Sequence, residues 1–430
     1  MNNDILQYDI IIVGGGAAGL VAAVCCAKKL KGKIKIAVIE KEFKLGKKLL
    51  ATGNGKCNMT NENMSEEYYN IDSREFVSNI ISKYSTDKIT AFWNSIGLLC
   101  KADFVGRVYP YSGQASAVLD VLMKNLEYYG VDIFCETNIM NVIPESNGYK
   151  LTAYKKIFTA QKVILATGGK VQPSLGSNGA SYQFAAELGL KCTDVFPSLA
   201  PIPCNDKYLS LMKGVRTAAT VSLNADGNII HSEQGELQLN EKNISGICIF
   251  QLSRYVNEYF EFKTIDGIKY NHISIVADFM PDYSLSETEN LLKKRRKQML
   301  TLKTEDLMTG IINKKIGLYL AKNLNIELDS ELYSLTDDDI EKIAVSVKSC
   351  EFVPSGMSGI NSAQVTAGGI ELSEIGKNMM SLKYKDLYII GEALNVDGMC
   401  GGYNLHWAFA NGIIAGNDAA NSYSNSKKKR

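Results

Sequence analysis

Hydrophobic positions in this chain come in two textures. Residues 8–13 (YDIIIV) are an unbroken apolar run of strand length, the pattern of a parallel strand buried on both faces. Residues 17–30 stay apolar until Lys28 and Lys29, which predicts a helix laid against the sheet, and residues 34–40 (IKIAVIE) read as a second strand. A βαβ unit is therefore expected at the start. Two later apolar runs end in glycine: 163–166 before Thr167-Gly168-Gly169, and 387–390 before Gly391-Glu392. The stretch after Asn404 (LHWAFANGIIAGNDAA) has helical texture and is expected beside the first helix. Between about 195 and 350 the texture changes. Residues 195–280 read as strand-rich, and 285–345, including 291–300, place Leu and Ile among charges at helical spacing. The expected organisation is an α/β domain made of 1–195 and 351–430, with a β-rich insertion at 196–280 and a helical domain at 281–350. No internal repeat is seen, and the tail 421–430 (NSYSNSKKKR) is expected to fray.

Composition narrows the class. Hydrophobic residues at 46% and charged residues at 22% support a large core and exclude a disordered chain. Lys plus Arg (47) nearly cancels Asp plus Glu (46), without the clustered basic excess that phosphate neutralisation needs, so no nucleic-acid partner is expected. Residues 10–27 are uncharged and mimic a membrane span, but Gly14-Gly15-Gly16 interrupts them and no Lys or Arg precedes them. A cytoplasmic protein without a membrane segment is expected. The ten cysteines are scattered with no Cys-x-x-Cys, and only three His exist, so no metal site is expected and the thiols read as reduced core filler.

The most informative motif is Gly14-x-Gly16-x-x-Gly19, directly after a strand and opening a helix, with Glu40 about 20 residues on at the end of the next strand. The first glycine allows the tight turn, the second lets a pyrophosphate approach the backbone, and the third lets helix and strand pack closely. The helix N-terminus offers free N–H groups and partial positive charge to phosphates. Glu40 can accept from adenosine ribose hydroxyls. This is a dinucleotide site. Residues 45–60 (LGKKLLATGNGKCNMT) carry glycine turns, hydroxyls and amides, too broken for a plain helix and suited to a large planar ligand with a ribityl chain. Residues 391–412 (GEALNVDGMCGGYNLHWAFANG) put an acid after a strand and a Gly401-Gly402 turn before a helix. Glu392 can bond a ribitol hydroxyl, and the turn can aim N–H groups at the flavin edge where charge develops on reduction.

On these residues the chain resembles the bacterial NAD(P)/FAD-dependent, aminoacetone-oxidase-like flavoprotein family, which includes a bile-acid reductase. The resemblance spans nearly the whole length: GGGAAG (14–19), ATGNGKCNMTN (51–61), GRVYPYSGQASAV (106–118), ATGG (166–169), GELQLNEKNISGICIFQLSR (235–254), QVTAGGI (364–370) and the 391–412 block. It implies a Rossmann-like, glutathione-reductase-like FAD domain with inserted β-barrel-like and helical domains. It implies FAD contacts at Gly14, Gly16, Gly19, Glu40, Lys41, Asn54, Gly55, Cys57, Asn58, Gly168, Gly391, Gly402, Asn404 and Leu405. Their neighbours Ala17, Ala18, Lys48, Thr52, Gly53, Ala166, Thr167, Glu392, Gly401 and Tyr403 complete the candidate set. Two positions depart from the family pattern: Glu392 where many relatives carry Asp, and His406 where many carry Gln.

For catalysis, Tyr403 and His406 are candidate proton donors, His406 forming with Trp407 an acid/base and stacking pair beside the turn, against a purely structural histidine. Arg107 with Tyr109 is a candidate anchor for an anionic or carbonyl substrate, against an ion pair or phosphate contact. Cys57 and Cys400 both fall in cofactor loops, and the run 293–297 (KKRRK) reads as a solvated helix face or, less simply, a patch for NADPH phosphate or an acidic partner. Three activities stand open. One is a reductase that takes hydride from NADH or NADPH and reduces an activated C=C bond of a small hydrophobic enone, steroid or bile-acid-like. The others are an amine oxidase using dioxygen and a flavin-loaded redox sensor without turnover.

Overall fold

The computed structural model describes residues 4–299 and 302–428. Its chain divides into one compact unit of Met1–Val195 with Val365–Arg430 and another of Phe196–Gln364.

The first unit is built on a seven-stranded sheet. Strand β1 (Asp4–Val13) enters helix α1 (Ala17–Leu30), and β2 (Ile36–Ile39) follows. Further strands are β3 (Asp132–Phe134), β4 (Ile139–Glu145), β5 (Gly148–Ala153), β6 (Lys156–Leu165) and β7 (Leu387–Ile389). The order is β3-β2-β1-β6-β5-β4, with β7 added against β6. β1, β2, β3, β6 and β7 pair in parallel, whereas β4 and β5 form an antiparallel meander on β6. Strand β6 can serve both because it is long. Its first half pairs β5, and Val163–Leu165 pairs Leu387–Ile389. The chain moves outward in both directions from β1, so a crevice is expected outside the carboxyl ends of β1, β2, β6 and β7, the usual ligand position in such sheets. Ile10, Ile11 and Ile12 are wholly buried, as their uninterrupted apolar run requires.

Helix α2 (Tyr403–Lys428) lies against α1 as expected. Small residues set that approach: a Cβ on Gly412 would stand 2.6 Å from the Ala18 carbonyl oxygen, and one on Gly416 2.5 Å from that of Ala22. The expected frayed tail is instead helical as far as Lys428, with the last two residues outside the described ones. No helix among the described residues is long and apolar enough to cross a membrane.

In Phe196–Gln364, six strands pair antiparallel in the order Ile202–Pro203, Asn243–Ser245, Asn228–Leu239, Val215–Ala225, Ile273–Asp278, Cys350–Phe352. A bridge between Cys204 and Pro354, with Ser355 N–H donating to the Pro203 carbonyl at 2.9 Å, joins the two end strands in a barrel-like closure. Three particulars differ from the sequence reading. A helix, Ile247–Phe262, lies inside the stretch expected to be strand-rich. The helices Leu285–Gln298, Lys314–Asn323 and Asp337–Lys348 share one hydrophobic core with the sheet, through Leu292, Leu320, Ile340 and Val347, and so make no third domain. The boundary falls at 364/365, later than the expected 350/351, because Cys350–Phe352 is an edge strand of the inserted sheet.

Candidate functional site

The glycine turn after β1 shows why each of its three glycines is needed. Gly14 has φ +108, and a Cβ there would lie 2.3 Å from the Ala166 carbonyl oxygen. A Cβ on Gly19 would lie 2.0 Å from the Gly14 carbonyl oxygen. Gly16, the N-cap of α1, has nothing within 4 Å of its Cβ direction. The outer two glycines thus fill steric contacts, and the middle one faces open space in front of the unpaired N–H groups that open α1. That open cradle at a helix N-terminus, reached by Ala17 and Ala18, fits a pyrophosphate.

Glu40 follows β2 immediately. Its Oε2 accepts from Gly15 N–H at 2.7 Å and its Oε1 from Glu42 N–H at 2.9 Å, so the carboxylate is oriented beside the turn. Lys41 stays half-buried next to Glu42.

The 45–60 segment is a one-turn helix, Lys47–Ala51, followed by a tight coil at Thr52–Gly55. Gly46 N–H donates to the Gly15 carbonyl at 2.8 Å, which ties the segment to the phosphate turn. Gly53, Asn54, Gly55 and Cys57 all have positive φ, a run that non-glycine residues rarely adopt. Thr52 caps Leu49 from its side chain, leaving residues 53–56 exposed as a shelf of backbone. Cys57 lies beneath, fully buried, and burial pushes its thiol up to about 12. Cys57 forms no disulfide, and a thiol so far from thiolate is unfit for disulfide exchange.

The strand ends complete the crevice. Gly168 has φ +74 after β6, the Thr167 and Ser181 hydroxyls bond each other, and Ala166 N–H donates to the Val13 carbonyl at 2.8 Å. After β7, Gly391 comes close enough to α1 that a Cβ on it would meet Ala18 Cβ at 3.1 Å. Glu392 joins three distant segments: Lys48 Nζ donates to Oε2 at 2.6 Å and Thr366 N–H to Oε1 at 2.9 Å. The Gly401–Gly402 turn docks on the same shelf. Asn61 Nδ2 donates to the Gly401 carbonyl at 2.9 Å, and a Cβ on Gly402 would stand 2.6 Å from the Thr60 carbonyl oxygen and 2.8 Å from Asn58 Oδ1. That Asn58 oxygen is buried with no hydrogen-bond partner among the described residues, a polar group of the kind a ligand satisfies. Asn404 pins the approach, with Oδ1 accepting from Gly398 N–H at 2.8 Å and Nδ2 donating to its carbonyl at 2.6 Å. Leu405 is half-buried in the next position.

The sequence-derived cofactor residues thus gather at one edge of the sheet in one unit. The catalytic candidates separate. His406 is wholly buried, its Nδ1 shares a 2.7 Å hydrogen bond with Thr60 Oγ1, and burial holds its pKa down at about 4 against the favourable Tyr84 backbone. A neutral ring without solvent access is no proton shuttle at neutral pH. Trp407 is also buried, with Nε1–H donating to the Gly391 carbonyl at 3.2 Å. Arg107 is paired instead of free: its Nε lies 2.9 Å and its Nη2 2.8 Å from Asp103 Oδ2, the ion pair that was one of its two readings. In the basic run, Arg295 donates to the Thr309 carbonyl at 2.6 Å and Arg296 to that of Leu335 at 2.6 Å, so two of its five cations hold local structure. Tyr403 alone stays at the turn. Its ring stacks on Tyr68 with centroids 4.6 Å apart, its hydroxyl reaches the Asn63 carbonyl at 3.4 Å, and burial, then Tyr68, raises its pKa. Sequence reasoning missed Asn61 and Thr366, although both lie inside recognised runs (51–61 and 364–370), and their roles appear only when distant segments meet.

A model of the HI0933-like protein Rossmann domain matches residues 8–418. The chain belongs to that family. Among curated proteins it is similar to the 3-dehydro-bile acid delta(4,6)-reductase of Clostridium scindens, 33% identical over 396 residues that cover 92% of this chain and 95% of that protein. It is also similar to the ribosomal RNA dihydrouridine synthase of Haemophilus influenzae, 27% identical over 395 residues covering 90% and 92%. Among solved structures, 3-ketosteroid delta1-dehydrogenase from Sterolibacterium denitrificans, in complex with 1,4-androstadiene-3,17-dione, superposes with a TM-score of 0.52 at 14% identity, covering 97% of this chain and 100% of that one, a likeness of fold. This member of the HI0933-like family is an FAD-dependent oxidoreductase.

Proposed function

We propose that the protein reduces a C=C bond conjugated to a carbonyl, drawing on NADH or NADPH, with a hydrophobic steroid- or bile-acid-like enone as substrate. The observation that carries this reading is the 33% identity to the delta(4,6)-reductase across 92% of the chain. The second relative supports the bond type, since dihydrouridine is uridine with its ring C=C saturated next to a carbonyl.

FAD, when bound, supplies a two-electron carrier that hands a hydride to the substrate. The protein's part is holding and proton supply. The N–H groups behind Gly16 take the pyrophosphate, Glu40 the adenosine ribose, and the Lys48–Glu392 pair the ribityl chain. Fixed dipoles of the Gly401–Gly402 turn favour negative charge at the flavin edge. Tyr403 is the proton donor in this proposal, because of the catalytic candidates it stays at the turn and a phenol is protonated throughout the physiological range.

Anaerobic mixing of the purified yellow protein with NADH and with NADPH, then with a steroid enone or a uridine-containing RNA, tests this. Bleaching by one nucleotide and recolouring by the steroid supports the proposal. Recolouring by RNA alone moves the substrate to pyrimidines, and no bleaching by either nucleotide removes the donor.

A further inference from the structure

The first unit holds a buried phenol that the proposed function does not use. Tyr182 stands in the first turn of the helix Ala180–Leu188, whose N-cap Gly179 has φ +79. Gly179 N–H donates to the Gly169 carbonyl at 3.0 Å, which fixes the start of that helix to the glycine turn after β6. Gly179 approaches the ring, and Gly169 approaches the acid of the cofactor site. A Cβ on Gly179 would be 3.5 Å from Tyr182 Cδ2, and one on Gly169 would be 2.8 Å from Glu392 Oε1. The Tyr182 hydroxyl is buried, and no group among the described residues bonds it. Burial first, then the charge of Glu392, raises its pKa, so it is a donor in want of an acceptor. Glu392 has already given one oxygen to Lys48 and the other to the Thr366 N–H. A buried hydroxyl left unbonded is costly and uncommon, and a ligand that completes it is the ordinary explanation.

We infer that Tyr182 is a positioning residue for the cofactor: its hydroxyl donates to an oxygen of bound FAD beside the Lys48–Glu392 pair. The inference rests on FAD occupying this cradle. No sequence signal marks Tyr182, since it sits outside the glycine motifs and the hydroxyl's isolation is visible only in three dimensions.

The role makes two measurements move in opposite directions in Tyr182→Phe, which keeps the ring and removes the oxygen. FAD release from the loaded protein, followed by the recovery of flavin fluorescence, should become faster and the dissociation constant rise about tenfold, the loss of one good hydrogen bond. The FAD-stripped variant should melt at the same temperature as stripped wild type or higher, because an unpaired buried group has gone. Unchanged FAD release overturns the inference and leaves the FAD reading intact, assigning the hydroxyl to a trapped water. A stripped variant that melts well below stripped wild type also overturns it, by showing that the hydroxyl had a partner within the protein. The release measurement uses the loaded protein as purified, so it decides the matter even where the stripped form does not fold. Wild type that purifies without FAD and takes none up defeats the cofactor reading itself, and the inference with it.

Discussion

The two glycine turns of the site, after β1 and before α2, do the same kind of work by different means. The first is closed by the backbone alone. Gly14 and Gly19 let main-chain atoms meet where a Cβ would fall within 2.3 Å of a carbonyl oxygen, and among the described residues the only side chain bonded to the turn is Glu40. The second is held by side chains, two of them from far away: Asn61 on Gly401 and the Tyr69 hydroxyl on the Tyr403 carbonyl at 2.9 Å, with Asn404 on Gly398 from within the segment. A turn closed by backbone sterics is marked by its own glycines, even where the opposing carbonyl, that of Ala166, comes from a distant strand. A turn closed by remote hydrogen bonds is written into segments that only the fold brings together.

The largest effect expected from this contrast lies within the first turn. Gly19→Val places its branched carbon against the Gly14 carbonyl, with no flexible neighbour to yield, and should cost roughly 3 kcal/mol or more of stability. Gly16→Val, three residues earlier, points into open space from an extended backbone and should leave thermal melting within about 1 kcal/mol of wild type. Its side chain nevertheless occupies the phosphate cradle, so FAD retention should fall by at least about tenfold. Equal FAD occupancy in Gly16→Val and wild type would falsify the assignment of the phosphate site. In the second turn, Asn404→Ala removes both bonds to Gly398 and should cost about 1–2 kcal/mol with a shifted flavin absorption spectrum. An unshifted spectrum would mean that the turn does not touch the flavin.

The same contrast explains how much was legible in the sequence. Helix α1 occupies the predicted residues, strands β1, β6 and β7 lie where apolar runs lead into glycine, and β2 lies where a run ends in Glu40. The inserted unit was read less well. Its helix Ile247–Phe262 carries Cys, Ile, Phe, Leu, Tyr and Val in an order that strand propensity fits as easily, and its position is set by tertiary packing, with Ile247 and Cys248 lying over Gly235. The strand Cys350–Phe352 is three residues long and gave no periodic signal. At the site, the candidate cofactor residues marked by glycine come together at one sheet edge, whereas of the catalytic candidates His406 is sealed in and Arg107 takes the ion pair that was one of its two readings. Residue type suggested reactivity, and only the packing shows that one is sealed in and the other paired.

His406 offers a smaller, pH-dependent test of that distinction. Its folded pKa is lowered from 6.5 to about 4 because the charged ring cannot be hydrated where it sits. Between those values the unfolded chain binds a proton that the folded one refuses, so stability should fall as pH drops from about 6.5 to about 4, by about 3 kcal/mol in total, and show no further loss from this group below that. His406→Gln should flatten that slope while leaving turnover at pH 7.5 unchanged. Turnover that collapses in the glutamine variant, with melting intact, would return the ring to the chemistry.

The smallest expected effect concerns Arg107, which shapes the site's border without acting in it. The turn between the strands Cys100–Ala102 and Arg107–Pro110 keeps most of its support without the guanidinium: Asp103 Oδ1 accepts from the N–H groups of Val105 and Arg107, each at 3.0 Å, and Glu62 N–H donates to the Gly106 carbonyl at 2.7 Å. The guanidinium is about one-third exposed and the pair is screened by solvent, which puts its contribution below about 1 kcal/mol. Arg107→Met should therefore lower the melting temperature slightly and leave FAD retention, KM and kcat within about twofold of wild type. A tenfold rise in KM with stability unchanged would mean that Arg107 leaves Asp103 to hold the substrate, and the line between residues that build this site and residues that act in it would have to be drawn on its other side.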